Sequence, residues 1–84
     1  METTKKAETM TTADYRRLAG NAEGHQAWRA AAVLWQKALD NYPESQRSGD
    51  LWETDAASMI SYRNDCLAMC PGETIGSLMQ QFAR

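Results

Sequence analysis

Apolar side chains recur along this chain with the 3.6-residue period of an α-helix, in four separate stretches. No stretch alternates apolar and polar residues in the way that is typical of a strand. The sequence therefore predicts one all-α domain over residues 11–84, preceded by a polar, flexible tail over residues 1–10. The predicted helices cover about residues 12–23, 26–41, 51–70 and 74–83.

Capping residues mark several of the predicted helix ends. Thr11, with Asp14 three residues later, predicts the start of the first helix, and Thr74 predicts the start of the last helix. Asp50 and Glu53 resemble a capping box for the third helix. The predicted ends of the first three helices fall at Gly24, Tyr42–Pro43 and Pro71–Gly72.

The first two predicted helices match the pattern of a tetratricopeptide hairpin, which is aromatic-x2-Leu-small-x2-large, then Ala-x3-aromatic, then Pro. Small residues at these positions let two antiparallel helices approach closely. The pattern does not repeat further along the chain, so we expect one hairpin packed against the third helix, a second subunit or both. The matching residues are Tyr15, Leu18, Ala19, Ala31, Trp35 and Pro43, and Ala22 stands in place of the usual large residue.

The last predicted helix is short and amphipathic. Its apolar side chains fall at i, i+3, i+4 and i+7, from Ile75 to Phe82. So short a helix is marginal alone, so we expect it to close the hairpin as a cap or to dock on another subunit or partner. Arg63 interrupts the apolar stripe of the third helix, and we expect it to extend along the helix to solvent, to pair with an acid such as Asp14 or Asp65, or to make a functional contact.

The composition and charge of the chain argue against several classes of function. The 84 residues carry a formal net charge of −2, which counts against a protein that coats nucleic acid. The longest apolar run, residues 30–35, is too short to cross a membrane, and no apolar region follows Lys5 and Lys6, so a cytoplasmic location is expected. Cys66 and Cys70 match no redox or zinc spacing, so reduced thiols are expected, with no metal or other cofactor.

No catalytic motif stands out. His25 forms no nucleophile motif with a serine or cysteine, and there is no glycine-rich phosphate loop, so we do not expect an enzyme. The segment from residue 15 to 38, followed by Arg63 and Cys66, resembles the ANR family, the small AraC negative regulators of enteric bacteria and their phages. Those proteins share a Tyr-x2-Leu-Ala start, an Ala-Ala-x-x-Trp-x-x-Ala helix, and a third helix ending in Arg-x-x-Cys.

That resemblance implies a transcriptional regulator that acts through proteins. Its expected partner is an AraC-type activator or the nucleoid-structuring protein H-NS, and no cofactor is implied. The surplus amphipathic helix of so small a domain favours a homodimer. Tryptophan and arginine are enriched where proteins bind one another. The candidate partner-binding residues are therefore Trp28, Trp35 and Trp52, with Arg16, Arg17 and Arg29 at the rim.

Two other functions stay open. One is direct DNA binding, in which the hairpin acts as a helix-turn-helix and Arg29 and Lys37 reach DNA. The other is a phage-type inhibitor that binds and blocks a host enzyme or defence factor. Core packing also remains an alternative for Trp28 and Trp35, which lie seven residues apart on one helical face.

Overall fold

The computed structural model describes residues 10–82, so the predicted tail lies outside the described residues except for Met10. Within this range the chain is all-α, as predicted, and contains no strand. One turn of 3₁₀ helix, Glu44–Gln46, lies between the second and third α-helices. The α-helices are α1 (Thr12–Gly24), α2 (Trp28–Asp40), α3 (Gly49–Ala68) and α4 (Ile75–Phe82).

Side chains cap the starts of α1 and α4, which confirms both predicted capping residues. The Thr11 hydroxyl accepts from the Asp14 backbone N–H over 3.3 Å, and the Asp14 carboxylate accepts from the Thr11 N–H over 3.1 Å. At α4 the Thr74 hydroxyl accepts from the Ser77 N–H over 3.1 Å. These bonds satisfy backbone donors that have no partner inside the helix.

The predicted capping box of Asp50 and Glu53 is wrong. The residue before α3 is Ser48, which is extended and makes no side-chain cap bond, and the helix begins at Gly49. Gly49 has φ +90°, a left-handed conformation that glycine adopts without steric cost. The chain is therefore already helical at Asp50, whose carboxylate lies in the first turn and interacts favourably with the helix dipole.

The turn between α1 and α2 is a Schellman motif. The Ala27 N–H donates to Ala22 O over 2.8 Å, and the Gln26 N–H donates to Glu23 O over 2.9 Å. Helix α1 ends at Gly24, where an end was predicted, but the left-handed residue is Gln26, with φ +61°. This conformation explains why α2 begins two residues later than the predicted residue 26.

Three small side chains let α1 and α2 pack closely. Ala19, Ala31 and Ala38 are fully buried. The two helices are antiparallel, and the buried Thr12 hydroxyl at the start of α1 donates to the Ala38 carbonyl near the end of α2 over 2.8 Å. This bond satisfies a buried hydroxyl that would otherwise destabilise the fold.

Helix α2 is the centre of the domain, because α1, α3 and α4 each pack against it. Five of its thirteen side chains are buried, namely Ala31, Ala32, Val33, Trp35 and Ala38. In α4, Leu78 is fully buried. Helix α4 therefore covers α2 within the same chain, which is the cap arrangement of the two expected. The core comprises Ala19, Ala31, Ala32, Val33, Trp35, Ala38, Met59, Cys66 and Leu78.

Helices α1 and α3 approach each other across α2. Arg16 reaches Asp55 near their first turns, and the Cys66 thiol reaches Glu23 near their last turns. Early residues meet early residues and late residues meet late ones, so the two helices run in the same direction. The finer likeness to a tetratricopeptide hairpin stays a prediction.

Candidate functional site

Trp35 lies where three helices meet and not at the surface. Its indole N–H donates to Glu23 Oε2 over 2.6 Å, and the Cys66 thiol donates to the same oxygen over 3.3 Å. The ring of Tyr62 lies against it, with centroids 4.8 Å apart. We call Glu23, Trp35, Tyr62 and Cys66 the three-helix junction. Because only 6% of Trp35 is exposed, it holds the helices together and offers no surface to a partner, unlike the partner-binding role predicted for it.

The three-helix junction also lowers the reactivity of the Cys66 thiol. Burial, and after it the hydrogen bond to Glu23, raise the pKa of the Cys66 thiol to about 12. Only the thiolate reacts as a nucleophile or binds a metal, so this side chain is inert at neutral pH. Cys70, just beyond the end of α3, is also a free thiol and is buried.

Trp52 fastens the loop between α2 and α3. It is half-buried, its ring centroid lies 4.7 Å from that of Tyr42, and the Arg47 guanidinium lies 5.9 Å from the Trp52 ring centroid. Arg47 also donates to the carbonyl oxygens of Tyr42 and Asp40, each over 2.9 Å. These contacts engage both Trp52 and the guanidinium beside it, so Trp52 is less available than its place after a polar loop suggested.

An open groove of about 540 Å³ lies beside the start of α1, and we call it the side groove. The Tyr42 hydroxyl donates to Asp55 over 2.9 Å, which raises the pKa of Tyr42, and Arg16 lies 3.9 Å from the same carboxylate. The chemistry-bearing side chains of this groove thus already bond one another. Its lining residues are Met10–Ala13, Arg16, Asn41–Pro43, Gln46 and Asp55.

The predicted arginine rim is divided between the two ends of the hairpin. Because α1 and α2 are antiparallel, Arg16 and Arg17 lie near the first turn of α1, far from Arg29 in the first turn of α2. Each guanidinium lies beside a carboxylate, which reduces its field. The pairs are Arg16 with Asp55, Arg17 with Asp14, and Arg29 with Glu73.

Arg63 forms no ion pair with Asp14 or Asp65, so the acid-pairing alternative for it is wrong. Its guanidinium donates to the side-chain carbonyl of Gln36 over 2.6 Å and to that of Asn64 over 3.0 Å. The reason is topological, because α3 packs on α2 and brings Gln36 opposite Arg63.

A second open groove, of about 290 Å³, lies at the other end of the bundle, and we call it the end groove. It gathers the start of α2, the chain just after α3, and the end of α4. Met69 is 55% exposed and Phe82 is 44% exposed, while Trp28 is half-buried. Large apolar side chains from three parts of the chain therefore meet at one open site. The lining residues are Gln26–Ala30, Met69, Cys70 and Phe82.

Polar contacts hold Arg29 at the edge of the end groove. Its Nε donates to Glu73 Oε2 over 3.3 Å, and 59% of its side chain is exposed. The other oxygen of Glu73 accepts from Ser77 over 3.1 Å and from Gln81 over 3.3 Å. The bond from Ser77 and then that from Arg29 lower the pKa of Glu73. The acid is therefore firmly ionised, and it fixes Arg29 against α4.

Of the predicted site residues, the structure brings only Trp28 and Arg29 together at an open apolar site. The sequence reasoning did not select Met69, Glu73 or Phe82 as site residues. The amphipathic pattern of the last helix includes Phe82, but only the fold shows that Phe82 ends beside Trp28.

Two structural features are absent among residues 10–82. No group of three or more histidine, cysteine, aspartate or glutamate side chains there is placed to hold a metal ion. None of the described helices has the length and apolarity needed to traverse a lipid bilayer.

Comparisons of this chain with protein-family models, with curated proteins and with solved structures find no match.

Proposed function

We propose that this protein is a small, non-enzymatic regulator of transcription that acts by binding another regulatory protein at its end groove. The observation that carries the proposal is the meeting of Trp28, Met69 and Phe82 around one open groove, with Arg29 at its edge. The expected partner, by resemblance to the ANR regulators, is an AraC-type activator or a nucleoid-structuring protein.

The chemistry of the groove favours a protein ligand. Tryptophan and arginine dominate binding energy at protein interfaces when they lie centrally and become desolvated on binding. Methionine adapts its shape to irregular partners. At about 290 Å³ the groove lies at the lower edge of the range for small-molecule pockets, roughly 300–1,000 Å³, so it suits one or two side chains of a partner.

The scaffold around the groove also fits this proposal. We propose that α1 and α2 form a tetratricopeptide-like hairpin, which is a common protein-binding unit when its faces are extended by neighbours. The parallel approach of α1 and α3, from Arg16 and Asp55 to Glu23 and Cys66, supports that likeness.

The test is capture from a nuclease-treated lysate of an enteric bacterium, using the tagged full chain and mass spectrometry. The proposal expects enrichment of an AraC-type activator or H-NS, its loss with Phe82→Glu, and its retention with Leu51→Glu. Leu51 is a matched control because it is 72% exposed, is also apolar, and lies outside the end groove. Circular dichroism verifies that both variants fold.

Other outcomes overturn the proposal and favour a different function. Enrichment of an unrelated enzyme that depends on Phe82 indicates an inhibitor. Recovery of nucleic acid without a protein partner, with binding that falls steeply as salt rises, indicates direct DNA binding. Capture of a regulator equally by both variants separates the regulator function from this groove.

A further inference from the structure

We propose that the end groove recognises an acidic segment of its partner, with an apolar side chain between Trp28 and Phe82 and a carboxylate on Arg29. This inference rests on the proposed function, since it assumes that the groove binds a protein. It goes further by stating the charge of the ligand.

The end groove has apolar walls and one exposed cation. Trp28, Met69 and Phe82 supply the apolar surface, and Arg29 is the charged side chain of the lining. Arginine binds carboxylates in a planar, two-bonded geometry that lysine does not offer. An apolar residue next to an acid on a partner therefore matches both features at once.

Arg29 also retains donors for another carboxylate. It meets Glu73 through its Nε atom over 3.3 Å. A two-bonded contact with a partner's acid would use the two terminal nitrogens and leave the Nε bond to Glu73 in place. Glu73 meanwhile holds the guanidinium against α4, so that less side-chain entropy is lost on binding.

The acid beside Arg29, Glu73, is already hydrogen-bonded within the chain. Glu73 accepts bonds from Ser77 and Gln81 as well as from Arg29. Its charge is spread over these donors and its side chain is only 22% exposed, whereas Arg29 is 59% exposed. The charge that an approaching segment meets first is therefore positive, although the whole chain has a formal net charge of −2.

The experiment uses the full chain and three synthetic peptides as probes. Each is a fluorescein-labelled, acetylated 12-residue peptide with the same leucines and one phenylalanine at helical spacing. All remaining positions are glutamate in the first peptide, glutamine in the second and lysine in the third. Fluorescence anisotropy measures the three dissociation constants at low salt. The expected order of affinity is glutamate, glutamine, lysine, with about a tenfold difference between the first and last.

Variants assign the preference to Arg29. Arg29→Gln should reduce the glutamate-to-lysine ratio to about one, and Arg29→Lys should keep a preference of reduced size. Arg17→Gln is the matched control, because Arg17 is 71% exposed, also pairs with an acid and lies at the other end of the hairpin. It should leave the ratio as it is.

Several results would overturn the inference. They are no binding of any peptide, equal binding of all three, a preference for lysine, or an unchanged ratio in Arg29→Gln. The lysate capture tests the proposed function separately. A regulator captured through Phe82 despite indifferent peptides leaves the function standing without this inference, and a glutamate preference without a captured regulator leaves the groove chemistry standing without the function.

Discussion

Trp28 and Trp35 lie two turns apart on the same face of α2, yet their surroundings differ completely. Trp35 is 6% exposed, and its indole N–H donates to Glu23 of α1, which also accepts from Cys66 of α3. Trp28 is half-buried and lines an open groove. The same residue type in the same helical stripe is therefore part of the core at one level and lines an open groove at the next.

The difference arises from where the neighbouring helices end. Helix α1 ends at Gly24 and α3 ends at Ala68, so the first turn of α2 extends to the limit of its neighbours. A helical stripe specifies which side of a helix faces the core, but not how far the covering helices reach. Burial then depends on position along the helix as well as on its face.

Truncation of each tryptophan gives the largest expected contrast. Trp35→Ala should lower the free energy of unfolding by about 4 kcal/mol, because it leaves a cavity at the three-helix junction and removes a donor to Glu23. Trp28→Ala should cost roughly half as much, since less of its surface is buried. Urea unfolding followed by circular dichroism measures both, and equal losses would contradict the contrast.

Raising the pH should weaken the junction specifically. The Cys66 pKa is about 12 in the folded chain, compared with 9.0 for a free thiol. Between these values the unfolded chain releases its proton first, so the stability that the protonated thiol provides below pH 9 is lost as the pH rises towards 12. The urea midpoint of the native protein should therefore fall over that range.

Two variants isolate the contribution of Cys66 from other groups that titrate at high pH. Cys66→Ala should flatten the decline between pH 9 and 12, whereas Cys70→Ala should keep the slope of the native protein. If Cys66→Ala and the native protein decline in parallel, the raised pKa of Cys66 does not contribute to the pH dependence.

Local signals predicted much of this fold, and long-range contacts account for what they missed. Thr11 and Thr74 cap helices as their neighbours in sequence indicate. At α3, the left-handed Gly49 starts the helix before Asp50 can act as the cap. Arg63 lies opposite Gln36 only because α3 packs on α2. The end groove combines residues 28, 69 and 82, and no spacing in the sequence brings these together.

The hydrogen bond at the far end of the hairpin should have an intermediate effect. Thr12→Val keeps the shape of the side chain but removes the donor to the buried Ala38 carbonyl, so a loss of about 1–2 kcal/mol in unfolding free energy is expected. Thr54→Val, at an exposed position in α3, is the control and should change little. Equal effects would show that the buried bond contributes nothing.

The smallest expected change is a gain in stability at the turn beside the end groove. Gln26→Gly removes the steric cost of a side chain at a φ of +61°. This gain in stability should exceed, by about 0.5 kcal/mol, the stability lost because glycine increases the entropy of the unfolded chain. Gln80→Gly, at an exposed position inside α4, should destabilise by about 1 kcal/mol. A loss of stability in Gln26→Gly would contradict the Schellman assignment of this turn.

The most direct test of the account follows the indole N–H signals of the three tryptophans by nuclear magnetic resonance, assigned with single Trp→Phe variants. The protein captured from the lysate is added to the isotope-labelled chain. We predict that the Trp28 signal shifts or broadens, while the signal of the Trp35 N–H, which donates to Glu23, stays in place. A shift confined to Trp52, or a displaced Trp35 with an unchanged Trp28, would contradict binding at the end groove.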